Sequence, residues 1–261
     1  MIIDAALEQA LRKLKLSGIL HTLDARLAQA RAGELGHIEF LQVLCHDEIA
    51  RRDSQAIARR IKTADFEEIV TIEEFDFSIN PKIPAAQIRD LGALRWMAGG
   101  ESVILYGPVG VGKTHIAQAL GHNVIRHGGD VRFFKLRKVL ATLAGGHADK
   151  TWDKRMRELI KPAVLILDDF GMRDLTATQA DDLFELVSER GRAERSLILT
   201  SNRSPVDWYP LFPNPVVAES LLDRLINNSH QVFMNGSSYR PNKRPGQNTS
   251  QRKRAPKEET G

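Results

Sequence analysis

The sequence predicts an α/β fold in which a parallel sheet is flanked by helices and preceded by a small all-helical domain. Three observations carry this. From Ser102 onward, short apolar runs alternate with stretches of helical period. Those runs are almost continuously apolar, as strands covered on both faces are. The first 65 residues place apolar side chains three and four positions apart and contain no strand pattern. With 261 residues, 42% hydrophobic and 27% charged, the chain can bury a real core, which excludes a disordered or fibrous whole.

Taken in order, Ala5, Leu7, Ala10, Leu11 and Leu14, and then Leu20, Leu23 and Leu27, recur at three- and four-residue spacing and read as helices. Gly33 and Gly36 break the pattern before a long helical stretch from Glu39 to Ile61. Residues 1–65 are therefore expected to form a small helical domain, amphipathic and without catalytic clusters, that docks a partner. The single cysteine, Cys45, excludes an intramolecular disulfide framework, a cysteine-cluster zinc site and an iron–sulfur cluster within one chain. It reads as a small apolar residue buried in the long helix and fits a reducing cytosol. No apolar run reaches the roughly 18 residues of a membrane span, and the N-terminus has no signal pattern, so a cytoplasmic protein is expected. Residues 66–84 lose the helical period, contain Pro81 and Pro84, and read as a linker.

Strands are then predicted at Val103–Tyr106, Val131–Phe134, Ala163–Leu167, Ser196–Thr200 and Gln231–Met234. The helices between them run from Lys113 to about His127, from Arg137 to about Leu143 with more polar helix to Ile160, then Thr178–Arg190 and Val216–Ile226. Phe133 and Phe134 read as core residues of one strand. Residues 241–261 have no hydrophobic period and are expected to be a basic disordered tail.

The strongest motif joins the first strand to the first of these helices. Gly107, Pro108, Val109, Gly110, Val111, Gly112, Lys113 and Thr114 spell G-x-x-x-x-G-K-T in the strand-turn-helix setting of a phosphate-binding loop. Glycines let backbone N–H groups face the phosphates, the helix N-terminus adds its dipole, Lys113 reaches the β- and γ-phosphates, and Thr114 can hold Mg²⁺. His115 reads as a locally packed helix residue. The strand Ala163–Leu167 runs into Asp168 and Asp169. Asp168 suits the magnesium shell and Asp169 the polarisation of an attacking water. Ser201, Asn202 and Arg203 follow the next strand, where a polar side chain such as Asn202 can sense a γ-phosphate or position water. Arg224, after Asp223 on the helix Val216–Ile226, can cross to the γ-phosphate of a neighbouring subunit.

With these elements in order, residues 75–240 resemble the AAA+ ATPases of the IstB and DnaC family. The stretches that carry the resemblance are GPVGVGKTHIAQALG, VLILDDFG, LFELVSERG, LTSNRSPVDW, LLDRLINNS and GSSYR. Phe75-Asp76-Phe77, Thr114-His115 and Asp168-Asp169-Phe170-Gly171 look like the IstB branch. The resemblance implies ATP and Mg²⁺ as cofactors, an AAA+ core over 85–240 without a C-terminal lid, and ATP hydrolysis. It implies Asn202 as the first sensor, Arg224 as the arginine finger and Arg240 as a second γ-phosphate sensor. Asp169 stands where most AAA+ proteins have glutamate, which implies slow hydrolysis. The function implied is that of a transposase helper that assembles with itself on duplex DNA with ATP, with residues 1–65 helping to dock DNA, deforms the target, recruits the transposase and hydrolyses ATP on release. A DnaC-like loader of a replicative helicase is the alternative.

The charge pattern bears on the DNA partner independently. The net charge of +4 divides unevenly, with +6 over residues 101–157 and +5 over 240–261. Arg132, Lys135, Arg137, Lys138, Lys150, Lys154 and Arg155 form the candidate DNA-binding set, suited to sequence-tolerant, salt-sensitive phosphate contacts. The tail reads either as added affinity for a polyanion or as a solvated end.

Overall fold

The computed structural model describes residues 4–239, so Arg240 and the expected tail 241–261 lie outside the described residues. The chain divides into two compact units, Met1–Thr63 and Ala64–Gly261. The division falls at the C-terminal turn of the third helix.

The first unit holds three helices, α1 (Ala5–Lys13), α2 (Ser17–Arg31) and α3 (His37–Ala64). Leu11, Leu23 and Leu44 form its core, with Leu16, Ile19, Leu20, Leu27 and Phe40 packed around them. No side chain of its own caps the N-terminus of α2. Glu48 of α3 substitutes, accepting from the N–H groups of Gly18 at 2.7 Å and Ile19 at 3.4 Å. Burial pushes the Glu48 carboxyl up, but Arg52 and these two N–H groups outweigh it and hold the group below its ordinary value. Cys45 lies on α3 as expected, but it is exposed rather than buried. It falls off the stripe set by Phe40 and Leu44, and a lone small side chain does not turn a helix.

The second unit is built on a five-stranded sheet in the order β2-β3-β4-β1-β5. The strands are β1 (Ser102–Tyr106), β2 (Val131–Lys135), β3 (Val164–Phe170), β4 (Ser196–Ser201) and β5 (Ser229–Phe233), all paired in parallel. Each predicted strand is present within a few residues of its expected ends. Continuous burial along β1, β3 and β4 explains their unbroken apolar sequences. Helices α4 (Ala85–Gly92), α5 (Lys113–Arg126), α6 (Leu136–Asp149), α7 (Trp152–Ile160), α8 (Ala177–Arg192) and α9 (Pro215–Asn227) supply the connections and cover. Thr176 and Gln179 close a reciprocal capping box at the start of α8, and Asn214 caps α9 ahead of Pro215.

Phe133 is buried in β2 as expected, but Phe134 is only half-buried. Successive residues of a strand face opposite sides, and Phe134 lies beneath Arg132 and Lys138, whose cationic groups stand 5.3 and 5.7 Å from its ring centre. The expected linker contains buried Phe75, Asn80 and Ile83, with a 3₁₀ turn at Phe77–Ile79. Among the described residues no helix is long and apolar enough to cross a membrane.

Candidate functional site

A parallel sheet brings the ends of all its strands to one edge, and the site collects there. β1 ends at Tyr106 and the chain turns through 107–112 into α5. Gly110 and Gly112 have φ of 84° and 99°, in the left-handed region. A β-carbon would sit 2.1 Å from Ser238 Oγ at Gly110, and 2.7 Å from the Phe75 ring at Gly112. Both conformation and packing therefore demand glycine. Val111 is fully buried and anchors the loop, whereas Val109 is exposed at its rim. Lys113 is buried, and its Nζ donates to the carbonyls of Gly107 at 2.9 Å and Pro108 at 2.7 Å.

Asp168, 2% exposed, faces the loop from β3. Its Oδ1 accepts from Thr114 Oγ1 at 2.8 Å and from Thr200 Oγ1 at 2.5 Å. Burial pushes this carboxyl above the ordinary range; the two hydroxyls oppose that, and the charges of Asp169 and Glu67 add to it. The β3–β4 register shifts between Leu167 and Phe170, and Asp169 there has φ of 60°. That irregularity leaves Asp168 buried and Asp169 exposed, while the Asp169 N–H donates to Thr200 Oγ1 at 3.1 Å. Two carboxylates adjacent in sequence thus occupy different environments.

Segments from before β1 and after β5 close over the loop. Phe75 packs against Phe77, His115 and Tyr239 with ring centres 4.8, 5.4 and 5.2 Å away. Tyr239 donates from its N–H to the Gly110 carbonyl at 2.8 Å and from its hydroxyl to the Asp76 carbonyl at 2.9 Å. Asn80 Nδ2 donates to the Asn235 carbonyl at 2.8 Å. The resulting cleft, about 470 Å³, is bordered by the loop, both aspartates, Asn202, Phe75 and Tyr239. Its hydroxyl and carboxylate oxygens beside Thr114 suit Mg²⁺, and the glycine cradle that a β-carbon would fill suits a polyphosphate.

Asn202 borders this cleft, and its Nδ2 lies 3.2 Å from Met172 Sδ. Arg224 lies elsewhere. It borders a second cleft with Gly100, Ser102 and Asn228, at the sheet edge opposite the loop. Lys135 ends β2 in register with Asp168 and borders the nucleotide cleft. It pairs with Glu67 at 2.6 Å, and chiefly that hydrogen bond holds its ammonium above the usual lysine range. Lys138 stands 3.7 Å from Asp65, and Arg137 is exposed on α6. Lys150 ends α6 with φ of 59°, and Lys154 is exposed on α7. Arg155 spans the α6–α7 turn through Asp149, Thr151 and the Thr142 carbonyl. Sequence reasoning missed Thr200 and the Phe75–Tyr239 contact. The signal for Thr200 was a hydroxyl residue ending an otherwise apolar strand beside the acid-bearing one.

A family model described as IstB-like ATP binding protein matches residues 9–246. A Mycobacterium tuberculosis protein described as an ATP-binding protein in an insertion sequence is 66% identical over 249 residues, covering 95% of this chain and 99% of that one. The ATP-binding protein of insertion sequence IS21 from Pseudomonas aeruginosa is 35% identical, over 90% of this chain and 88% of its own length. Among solved structures, AMPPCP-bound DnaA from Aquifex aeolicus has a TM-score of 0.55 at 19% identity, over 66% of this chain and 51% of that one. The DnaC helicase loader has a TM-score of 0.55 at 20% identity, over 64% of this chain and 97% of that one. The structural likenesses establish an AAA+ P-loop fold, and the sequence matches go further: the chain belongs to the IstB-like family of insertion-sequence ATP-binding proteins.

Proposed function

We propose that this chain is an ATP-hydrolysing helper of a transposase, which assembles with itself on duplex DNA when ATP is bound, deforms that DNA, recruits the transposase and releases on hydrolysis. The observation that carries the reading is the Asp168 carboxylate shared by Thr114 and Thr200 beside the glycine loop. In this reading the loop N–H groups and Lys113 hold the phosphates, and Thr114 and Asp168 hold Mg²⁺. When bound, the metal neutralises charge on the phosphate oxygens. Asp169 polarises the attacking water, and Asn202 reads the γ-phosphate. Arg224, at the opposite sheet edge from its own loop, serves a neighbouring copy's nucleotide. The gain and loss of the γ-phosphate then sets how tightly copies hold one another.

The relatives named for insertion sequences favour a transposase as partner. The likeness to DnaC, at 20% identity, speaks to the fold alone. Imaging the protein with duplex DNA and a non-hydrolysable ATP analogue, against ADP, tests the switch. Discrete assemblies are expected only with the analogue, and Lys113→Ala or Asp168→Ala should abolish them. Monomers in both states, or unchanged assembly by these variants, would sink it. Recovery of a replicative helicase, and no transposase, on the full chain would reverse the choice of partner.

A further inference from the structure

At the sheet edge opposite the P-loop lies a cleft of about 420 Å³ lined by Arg190, Arg192, Arg195 and Arg224, with the hydroxyls of Ser102 and Ser188, and by no carboxylate. The four guanidinium groups are held in different ways. Arg190 is fully buried and donates to the carbonyls of Leu159, Ile160, Pro162, Ala163 and Ser196, while its Nε, also buried, has no hydrogen-bond partner. Arg192 pairs with Glu189. Arg224 donates to Ser188 Oγ at 2.9 Å, and its guanidinium stands 5.4 Å from the Phe184 ring centre. Arg195 is exposed, and its side chain has neither an ion pair nor a hydrogen bond among the described residues.

The turn that presents Arg195 is nonetheless fixed. Glu194 before it adopts φ of 51°. The Arg195 N–H donates to the Arg190 carbonyl at 2.8 Å, and Arg190 Nη2 donates to the carbonyl of Ser196, the next residue, at 2.5 Å. Arg190 therefore ties the backbone on both sides of Arg195, through its own carbonyl before that residue and its guanidinium after it. Burial and then the charge of Arg195 push Arg190 down to about 9, so the two guanidinium groups sense each other. Arg190, Arg195 and Arg224 have no ion pair among the described residues and no carboxylate lines the cleft, which suits a multiply charged anion better than the single charge of a phosphodiester.

We propose that Arg195 is a second arginine acting in trans, gripping with Arg224 the terminal phosphates of a nucleotide held in the P-loop of a second copy of this chain. The proposal rests on the reading of Arg224 given above. In the reaction served, the water oxygen bonds to the γ-phosphorus and the bond to the β,γ-bridging oxygen breaks. The electron pair leaves with ADP, and the proton of water passes through Asp169 to solvent. Arg195 transfers no proton; its N–H groups face the charge that gathers on the bridging and γ-oxygens.

Mixing full-length variants tests this. Arg195→Ala, Arg224→Ala and Lys113→Ala should each lower ATP turnover by about tenfold or more. A mixture of Arg195→Ala with Lys113→Ala should regain turnover, because the intact loop of one meets the intact arginines of the other. The Arg224→Ala and Lys113→Ala mixture is the control for the underlying reading. Recovery in both mixtures supports the proposal. Recovery only with Arg224→Ala overturns it, as does wild-type turnover by Arg195→Ala alone, and each leaves the role of Arg224 standing. No recovery in the control overturns the reading of Arg224 itself. Wild-type turnover without DNA but weakened DNA binding by Arg195→Ala would make Arg195 a phosphodiester contact and also overturn it. Arg195→Gln, which keeps the aliphatic stem, repeats the test if the alanine variant misfolds.

Discussion

Thr200 donates its hydroxyl to Oδ1 of Asp168 at 2.5 Å, the same oxygen that accepts from Thr114 at 2.8 Å. A carboxylate this buried keeps its charge and direction only if neighbouring donors supply what water would. Thr200 is such a donor, and it also accepts from the Asp169 N–H, so one hydroxyl orients both acids. Thr200→Val, nearly equal in shape, should raise the Mg²⁺ concentration needed for half-maximal turnover by about tenfold, in the range usual for a lost outer-shell bond. Thr200→Ser should stay near wild type. Magnesium titrations of turnover make the comparison, and equal midpoints for all three proteins would remove Thr200 from the site.

Gly110 is constrained by two separate effects, which can be divided by mutation. Its φ of 84° strains any other residue, and a β-carbon would meet Ser238 Oγ at 2.1 Å and Ser238 Cβ at 2.9 Å. Gly110→Ala should weaken binding of a fluorescent ATP analogue by roughly tenfold or more, since strain of about 1–3 kcal/mol falls on the loop that must hold the phosphates. Adding Ser238→Gly removes the collision but not the φ strain, so affinity should recover in part. Full recovery would mean that φ contributes nothing, and no recovery would mean that the collision does not matter.

The alternation of strand and helix was readable because the three inner strands, β1, β3 and β4, are short and largely apolar, and because the P-loop fixes the first crossover. The acid pair, Asn202 and the loop glycines were readable for a related reason: Asn202 and the loop follow directly from strand ends, and the two acids interrupt an apolar run near the end of β3. What escaped depends on contacts distant in sequence. Phe75 looks like part of a polar linker until Tyr239, far along the chain, comes to lie against it. The inward turn of Asp168 and outward turn of Asp169 depend on a register shift against β4 that no local pattern reveals. Lys135 was legible as a cation, but its partner Glu67 belongs to a segment with no period of its own. Cys45 was placed on the correct helix and the wrong face, because one small residue carries little directional information.

Arg190 is a fully buried cation whose replacement should be costly. Its guanidinium serves five carbonyls from the α7–β3 connection and the start of β4. Arg190→Met fills similar space but leaves those acceptors buried without donors, and should cost on the order of 3–5 kcal/mol. The lowered value of about 9 remains above neutrality, so Arg190 is charged at pH 6 and at pH 8 and the cost should be the same at both. All three tryptophans, Trp96, Trp152 and Trp208, lie in the second unit, so their fluorescence during urea unfolding reports on that unit. A midpoint shift under a few tenths molar, or one that changes between pH 6 and 8, would contradict this account.

The helical unit offers a pH test with a definite sign. Arg26 donates to both oxygens of Asp47, from Nε and Nη2, at 2.9 Å each. The Arg26 hydrogen bonds first, and that of Thr22 second, hold the Asp47 carboxyl below its ordinary value. A carboxyl depressed in the folded state stabilises fully above its unfolded pKa, about 3.9, and progressively less as pH falls through the folded one. Asp47→Asn should therefore speed amide hydrogen exchange across α2 and α3 at pH 7, and the difference from wild type should shrink as pH drops from 5 toward 3. Comparing the two proteins at each pH, rather than one protein across pH, removes the intrinsic pH dependence of exchange. If the difference grows on acidification, the Arg26–Asp47 pair is not what holds these two helices together.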